Sequence, residues 1–305
     1  MGCKVTQEKL DLLVFGDTAI DYFYEVDRFP KLHEASEVRY GRRFYGGMGA
    51  NTAVVANSLG LKVGLASVIG TDAEDYRAYL ENLGVKLYLK GIFGDTTRSM
   101  FFKNNGDEIS FFYKGVTEKL DELDIEKEFG LNMFKKVDVI YMGRTYLKLQ
   151  KQAVKYGKGK TVVYNPGYGV FGFDKIPKDF ESIIRNVNIL ILNKHELEHL
   201  EGLGFNLKKT KGPEAFIITR GGRGCSVYTK TTEVDVNPFK AKLVDASGAG
   251  DAFNAGFITA MLKGYDVYKA VKVGNATASF IVEEWGCQTN IPSWDKVLER
   301  YSQIV

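Results

Sequence analysis

The stretch Asp245-Ala246-Ser247-Gly248-Ala249-Gly250-Asp251 sets a run of small residues and a carboxylate just ahead of an apolar, helix-like segment. Small residues before a helix leave backbone N–H groups free at its N-terminus, where an anion is favoured. Asp251 sits at the same point. Donors for phosphate charge beside a base for a hydroxyl proton are the parts that phosphoryl transfer to an alcohol needs. The same residues also suit a plain helix start, with Asp251 as cap and the glycines in a tight turn.

Two more segments invite a ligand. Gly46-Gly47-Met48-Gly49-Ala50-Asn51 opens a helix, and Asn51 offers both a donor and an acceptor. The other reading is a flexible turn and cap. Gly16-Asp17-Thr18-Ala19-Ile20-Asp21 ends the first strand. Asp21 then lies where α/β proteins bind ligands, beyond a strand's carboxyl end, or is a solvated loop carboxylate.

Two motifs read as decoys. His195-Glu196-Leu197-Glu198-His199 matches H-E-x-x-H, the pattern of a zinc peptidase with Glu196 as base. It follows directly on the strand-like ILILN, so His195 falls at a helix start, and only His33 remains as a third imidazole. Gly159-Lys160-Thr161 looks like the end of a P-loop, but Val154 stands where the upstream glycine belongs, and a strand follows rather than a helix.

The elements that must position these residues follow an α/β rhythm. Leu10–Asp17 reads as a buried strand ending in a turn and Lys62–Ile69 as a strand. From Val137 on, the short apolar runs Val137–Met142, Thr161–Tyr164, Ile189–Leu192 and Ala215–Thr219 suit a parallel sheet buried on both faces. Cys225–Tyr228 and Thr232–Val236 read as a β excursion. Helices are expected at Met48–Leu59, at Asp72–Leu83 with Asp72 near its cap, at Asp251–Lys263, at Val267–Glu284 and from Ser293. Strands near 22–45 and 86–115, with a hairpin turn at Asn104–Asp107, form a small separate sheet. Such a sheet could cover a cleft at the strand ends. No linker or repeat divides the chain, so 1–305 reads as one α/β domain.

Composition sets bounds. The 305 residues are 45% hydrophobic and 26% charged, enough to bury a substantial core. A net charge of +3 with no dense basic run argues against nucleic acid. No stretch is apolar enough to span a bilayer, and the N-terminus lacks a secretory apolar block. Gly2 and Thr6 meet a myristoylation pattern only weakly. Cys3, Cys225 and Cys287 are an odd, scattered set, expected as free thiols in the cytoplasm.

Taken in order, the blocks GDTAID, GGMGANTA, Asn193-x-x-Glu196 and DASGAGDAFNAGF resemble the ribokinase family, the PfkB carbohydrate kinases, over nearly the whole chain. The loop from Thr219 to Gly224 looks like that family's nucleotide-side loop. Met48 and Ala19 depart from ribokinase itself, which carries a basic residue and a sugar-binding Asn there, and so weigh against ribose. GDTAIDY, YGGMGANTAV, NKHE and the tail GCQTNIPSWDKVLER look like the family's archaeal broad-specificity nucleoside kinases.

The resemblance implies a three-layer α/β/α core with a small β-sheet lid. It implies ATP as co-substrate and phosphorylation of a primary hydroxyl, the 5′-hydroxyl of a ribonucleoside. Asp251 would be the general base, and Gly248, Ala249 and Gly250 the anion hole. Asn193 and Glu196 would organise magnesium, through water. Thr219, Gly221, Gly224 and Asn275 would lie around the nucleotide; Asp21, Gly47 and Asn51 would hold the acceptor. A monovalent cation is expected near Asp245. Lid aromatics Phe102, Phe112 or Tyr113 could stack on a base, and the lid could pair two subunits. The alternatives are a ribokinase- or fructokinase-type sugar kinase, a sugar-phosphate kinase using Arg42, Arg43 and Arg98, a zinc peptidase, and a catalytically silent binding protein.

Overall fold

The computed structural model describes residues 9–303. Cys3 and the Gly2–Thr6 pattern lie outside them. Among the described residues the strands are β1 (Leu10–Phe15), β2 (Ala19–Val26), β3 (Val38–Gly46), β4 (Val63–Gly70), β5 (Lys86–Ile92), β6 (Thr97–Asn104) and β7 (Asp107–Tyr113). They continue with β8 (Val137–Gly143), β9 (Thr161–Asn165), β10 (Ile189–Asn193), β11 (Ala215–Thr219), β12 (Cys225–Thr229) and β13 (Glu233–Val236).

The large sheet runs β13-β12-β11-β10-β9-β8-β1-β4-β5, parallel from β11 through to β5, with β12 and β13 antiparallel at one edge. Its central strands are continuous apolar runs because helices cover both faces. All eight positions of β4 are buried. On one face pack the helices Met48–Ser58, Glu74–Asn82, Ala249–Leu262, Val267–Ile281 and Trp294–Ser302; on the other pack Ile125–Phe129, Leu147–Tyr156, Lys178–Ile184 and Lys194–Gly202. The protein is thus a three-layer α/β/α core with a second, small sheet of order β3-β2-β6-β7.

The small sheet is narrower than the sequence suggests. Residues 86–92 form β5, which pairs in parallel with β4 and closes the edge of the large sheet. Leu87 and Leu89 face the core, so this segment is anchored by burial. The second segment of the small sheet begins only at Thr97. The hairpin at Asn105-Gly106 is as expected: φ is 48° and 93°, the left-handed pair of a two-residue turn. Asp72 does not cap the next helix, which starts at Glu74 behind Ala73. Its carboxylate instead accepts from Thr96 N and Oγ1, both at 2.8 Å, and so ties that loop to the entrance of β6.

One close approach sets the geometry at the carboxyl end of β1. A Cβ on Gly49 would stand 2.6 Å from Gly16 Cα, so two glycines let the first helix abut the strand end. Among the described residues no helix is long and apolar enough to cross a membrane, and Cys225 and Cys287 are buried free thiols.

Candidate active site

Most residues picked out by motif come from strand ends and helix starts, as expected for an α/β fold, while Asp21 lies on β2 and Asn275 within the helix Val267–Ile281. Gly248, at φ 74°, is the residue before the helix Ala249–Leu262. A Cβ there would lie 2.7 Å from Cys287 Cβ, so only glycine fits. A Cβ on Gly250 would meet nothing within 4 Å, so the first turn opens onto free space. Ala249 N–H turns back to Ala246 O at 3.3 Å.

Asp251 is not a cap. It sits in the first turn with its side chain buried. Its Oδ2 accepts from Asn51 Nδ2 at 2.9 Å. Burial pushes its carboxyl up to about 8; the Asn51 bond pulls the other way, Asp17 and Asp21 raise it further, and Arg144 lowers it. A base poised near neutral pH is what general-base chemistry favours.

Asn51 is held in turn. Its Oδ1 accepts from Gln288 Nε2 at 2.8 Å, and the same Nε2 lies 2.8 Å from the Tyr76 hydroxyl. The amide of Asn51 is thereby oriented with its donor toward Asp251. Asp17 and Arg144 form a buried ion pair beside this cluster. The pair raises the Arg144 guanidinium above its ordinary value. Neither residue was singled out from sequence. The signal was there: Asp17 lies in GDTAID, and Arg144 follows a strand's carboxyl end.

Asp21, on β2, is 3% exposed and is pushed up to about 6 by burial, against hydrogen bonds from Ser99 and Cys287. Gly46 leaves the room its carboxylate occupies. Gly47, at φ 96°, precedes the helix that carries Asn51. Ser99 pairs across strands with both Asp21 and Phe112, so all three share one face. Phe23, Phe101 and Trp285 stack on that face. Period-two alternation puts Phe102 and Tyr113 on the opposite face, where Phe102 stacks on Tyr24. Of the aromatics expected to meet a base, only Phe112 faces the same way as Asp21.

A cavity of about 190 Å³ is lined by Met48, Asn165, Asn193, Glu196, Thr219, Gly248, Gly250, Asp251 and Asn254, among others. Asn193 and Glu196 form a capping box: Asn193 Oδ1 accepts from Glu196 N at 2.9 Å, and Glu196 Oε2 accepts from Asn193 N at 2.8 Å. Burial pushes Glu196 up to about 7. Among the described residues no group of three His, Cys, Asp or Glu could hold a metal directly. One carboxylate on a cavity wall does fit magnesium, which keeps several waters. The zinc motif does not assemble. The His195 side chain is 79% exposed against Glu198, His199 lies 3.2 Å from Phe173 O, and Glu196 turns inward onto its own helix start.

Gly221 and Gly224 lie in the turn after β11, next to a separate cleft lined by Lys194, Arg220 and Arg223. Asn275 donates to Asn237 O at 3.1 Å and so braces the loop beyond β13. Of the arginines named for a sugar phosphate, Arg42 lies over the Tyr40 ring. Arg43 pairs with Asp75, and Arg98 with Asp72 and Asp95.

Comparison with known proteins agrees with this fold. The model of the pfkB family of carbohydrate kinases matches residues 9–294. The nucleoside kinase of Methanocaldococcus jannaschii is 36% identical, over 98% of each chain. That of Methanothermobacter thermautotrophicus is 29% identical, over 97% of this chain and 96% of its own. The crystal structure of the M. jannaschii nucleoside kinase superposes with a TM-score of 0.86 at 32% identity, covering 97% of this chain and all of that one. A nucleoside kinase from Burkholderia thailandensis in complex with inosine shares the fold, with a TM-score of 0.83 at 20% identity, covering 96% and 97% of the two chains. This chain therefore belongs to the pfkB family of carbohydrate kinases, phosphotransferases that act on an alcohol group.

Proposed function

We propose that the chain transfers the γ-phosphate of ATP to the 5′-hydroxyl of a ribonucleoside and tolerates several bases. One observation carries the reading: Asp251, buried and raised in basicity, opens onto the same cavity as Gly248 and Gly250. The acceptor hydroxyl gives its proton to Asp251 as its oxygen bonds to the γ-phosphorus. The bond from that phosphorus to the bridging oxygen breaks, and ADP leaves. Asn51 keeps the carboxylate aimed. The N–H groups of Gly248 and Gly250 and the helix dipole meet the charge on the moving phosphoryl group. Ala249, whose N–H turns back to Ala246, contributes less.

Magnesium would neutralise phosphate charge, held through water by Asn193 and Glu196. Thr219, Gly221 and Gly224 shape the nucleotide side, and Asn275 braces it. Asp21, beside the Gly47 turn, accepts from the acceptor's vicinal hydroxyls, and Phe112 offers a face to its base. The small sheet acts as the lid that excludes water from the transfer. Its last strand exposes Ile109, Phe111 and Tyr113, which suits pairing with a second copy of the chain.

A nucleoside is favoured over a free sugar by the two nucleoside kinases that resemble the chain end to end. The test is a panel of nucleosides, sugars and sugar phosphates with Mg-ATP. Turnover of ribonucleosides such as inosine, guanosine, cytidine and adenosine is expected. Turnover of ribose or fructose with none of these nucleosides would replace the reading with a sugar kinase.

A further inference from the structure

Asp245 opens the turn that carries Gly248 and Gly250, and it is only 3% exposed. A carboxylate so deep is costly to keep ionised unless a cation or several donors face it. Sequence reasoning expects a monovalent metal ion there, but the structure sets an ammonium against the carboxylate. Lys103 Nζ, near the end of β6, lies 2.7 Å from Asp245 Oδ1. Ser247 N donates to the same oxygen at 3.1 Å, and Gly286 N to Oδ2 at 3.4 Å. One of these three donors carries the positive charge that the carboxylate lacks. The ammonium is built in: its side chain is 16% exposed, and Nζ lies 4.9 Å from the ring centre of Phe23 and 5.7 Å from that of Trp285. Glu108 is its second, more distant carboxylate, at 3.3 Å.

We propose that Lys103 is the resident cation of the phosphate-binding turn. Its ammonium neutralises Asp245 and fixes the 245–250 turn against the loop at Gly286. A monovalent metal ion is then unnecessary, and like charge excludes one. The inference rests on the turn binding phosphate, and it holds whether the acceptor is a nucleoside or a sugar.

Thermal unfolding and kinase rate, compared in potassium chloride and in choline chloride at equal ionic strength, test it. Wild type should unfold at the same temperature in both salts and turn over within about twofold. Lys103→Met strands the Asp245 charge. It should unfold earlier in choline, lose about tenfold or more in rate, and gain a response to potassium that wild type lacks. Lys103→Met with Asp245→Asn removes both charges and should recover the unfolding temperature without that response. Severalfold stimulation of wild type by potassium would overturn the proposal. So would a Lys103→Met protein that matches wild type in choline, or one that stays blind to potassium. If no acceptor is turned over at all, the nucleoside reading falls, while the unfolding temperatures still decide the role of Lys103.

Discussion

Asn51 and Asp251, 200 positions apart in the chain, share a 2.9 Å hydrogen bond in which the Asn51 amide donates to the carboxylate. The bond joins the first helix to the helix behind the Gly248–Gly250 turn. It favours the ionised form of a group that burial otherwise keeps protonated.

Removing that donor should move the pH profile. If Asp251 must be ionised to act, kcat/KM rises with pH through its pKa. Asn51→Leu takes away a charge-assisted hydrogen bond, so the limb should shift alkaline by about one unit. An unmoved limb would separate Asn51 from the titration of Asp251.

Stability carries the same signature with the opposite benefit. The folded pKa of Asp251, about 8, lies above the ordinary carboxylate value. The native state therefore holds the proton more tightly than the unfolded chain. Ionised Asp251 costs stability in full above about pH 8, and the cost fades as pH falls toward the unfolded value. Asp251→Asn should unfold at a higher temperature than wild type at pH 8.5, and the gap should narrow by about pH 5. A gap that widens in acid would contradict the assigned burial.

Glu196→Gln separates magnesium organisation from helix capping. Glutamine at this position still completes a capping box, so the unfolding temperature should hold. The loss of a carboxylate should raise the magnesium concentration needed for half-maximal rate. His195→Gln and His199→Gln should change the rate little, because one side chain is exposed and the other leans on Phe171 and Phe173. Equal damage from all three would revive a metal role for the histidines.

Asp21 should set the preference for a vicinal diol. One carboxylate can accept from two neighbouring hydroxyls, and leaving a buried acceptor partly unpaired costs about 1–3 kcal/mol. A 2′-deoxynucleoside should therefore show a kcat/KM lower by about tenfold or more. Asp21→Asn should shrink that ratio. Equal use of both nucleosides by wild type would remove Asp21 from the acceptor site.

Much of this was legible in the chain because it is local. Apolar runs such as Val63–Gly70 and Ile189–Asn193 declare a sheet buried on both faces, and Asn105-Gly106 declares its hairpin. The motif residues Asp251, Gly248, Gly250, Asn193 and Glu196 do line one cavity. What sequence could not supply was partnership across distance. Arg144 with Asp17, Gln288 with Asn51 and Lys103 with Asp245 join residues 127, 237 and 142 positions apart. From sequence Lys86–Ile92 reads as part of the lid because a half-exposed edge strand looks the same in either sheet; only its pairing with β4 decides. Phe102 and Tyr113 face away from Asp21 for a related reason, since a one-residue step along a strand reverses the face.

The central claim is that Asp251 takes the proton of the acceptor hydroxyl. The measurement that tests it most directly is the rate of Asp251→Asn with Mg-ATP and saturating inosine. The substitution is nearly isosteric and should keep the fold, with Asn51 still able to donate to the new amide oxygen. The account predicts a loss of kcat of about 10²–10⁴. A rate within about threefold of wild type would contradict it.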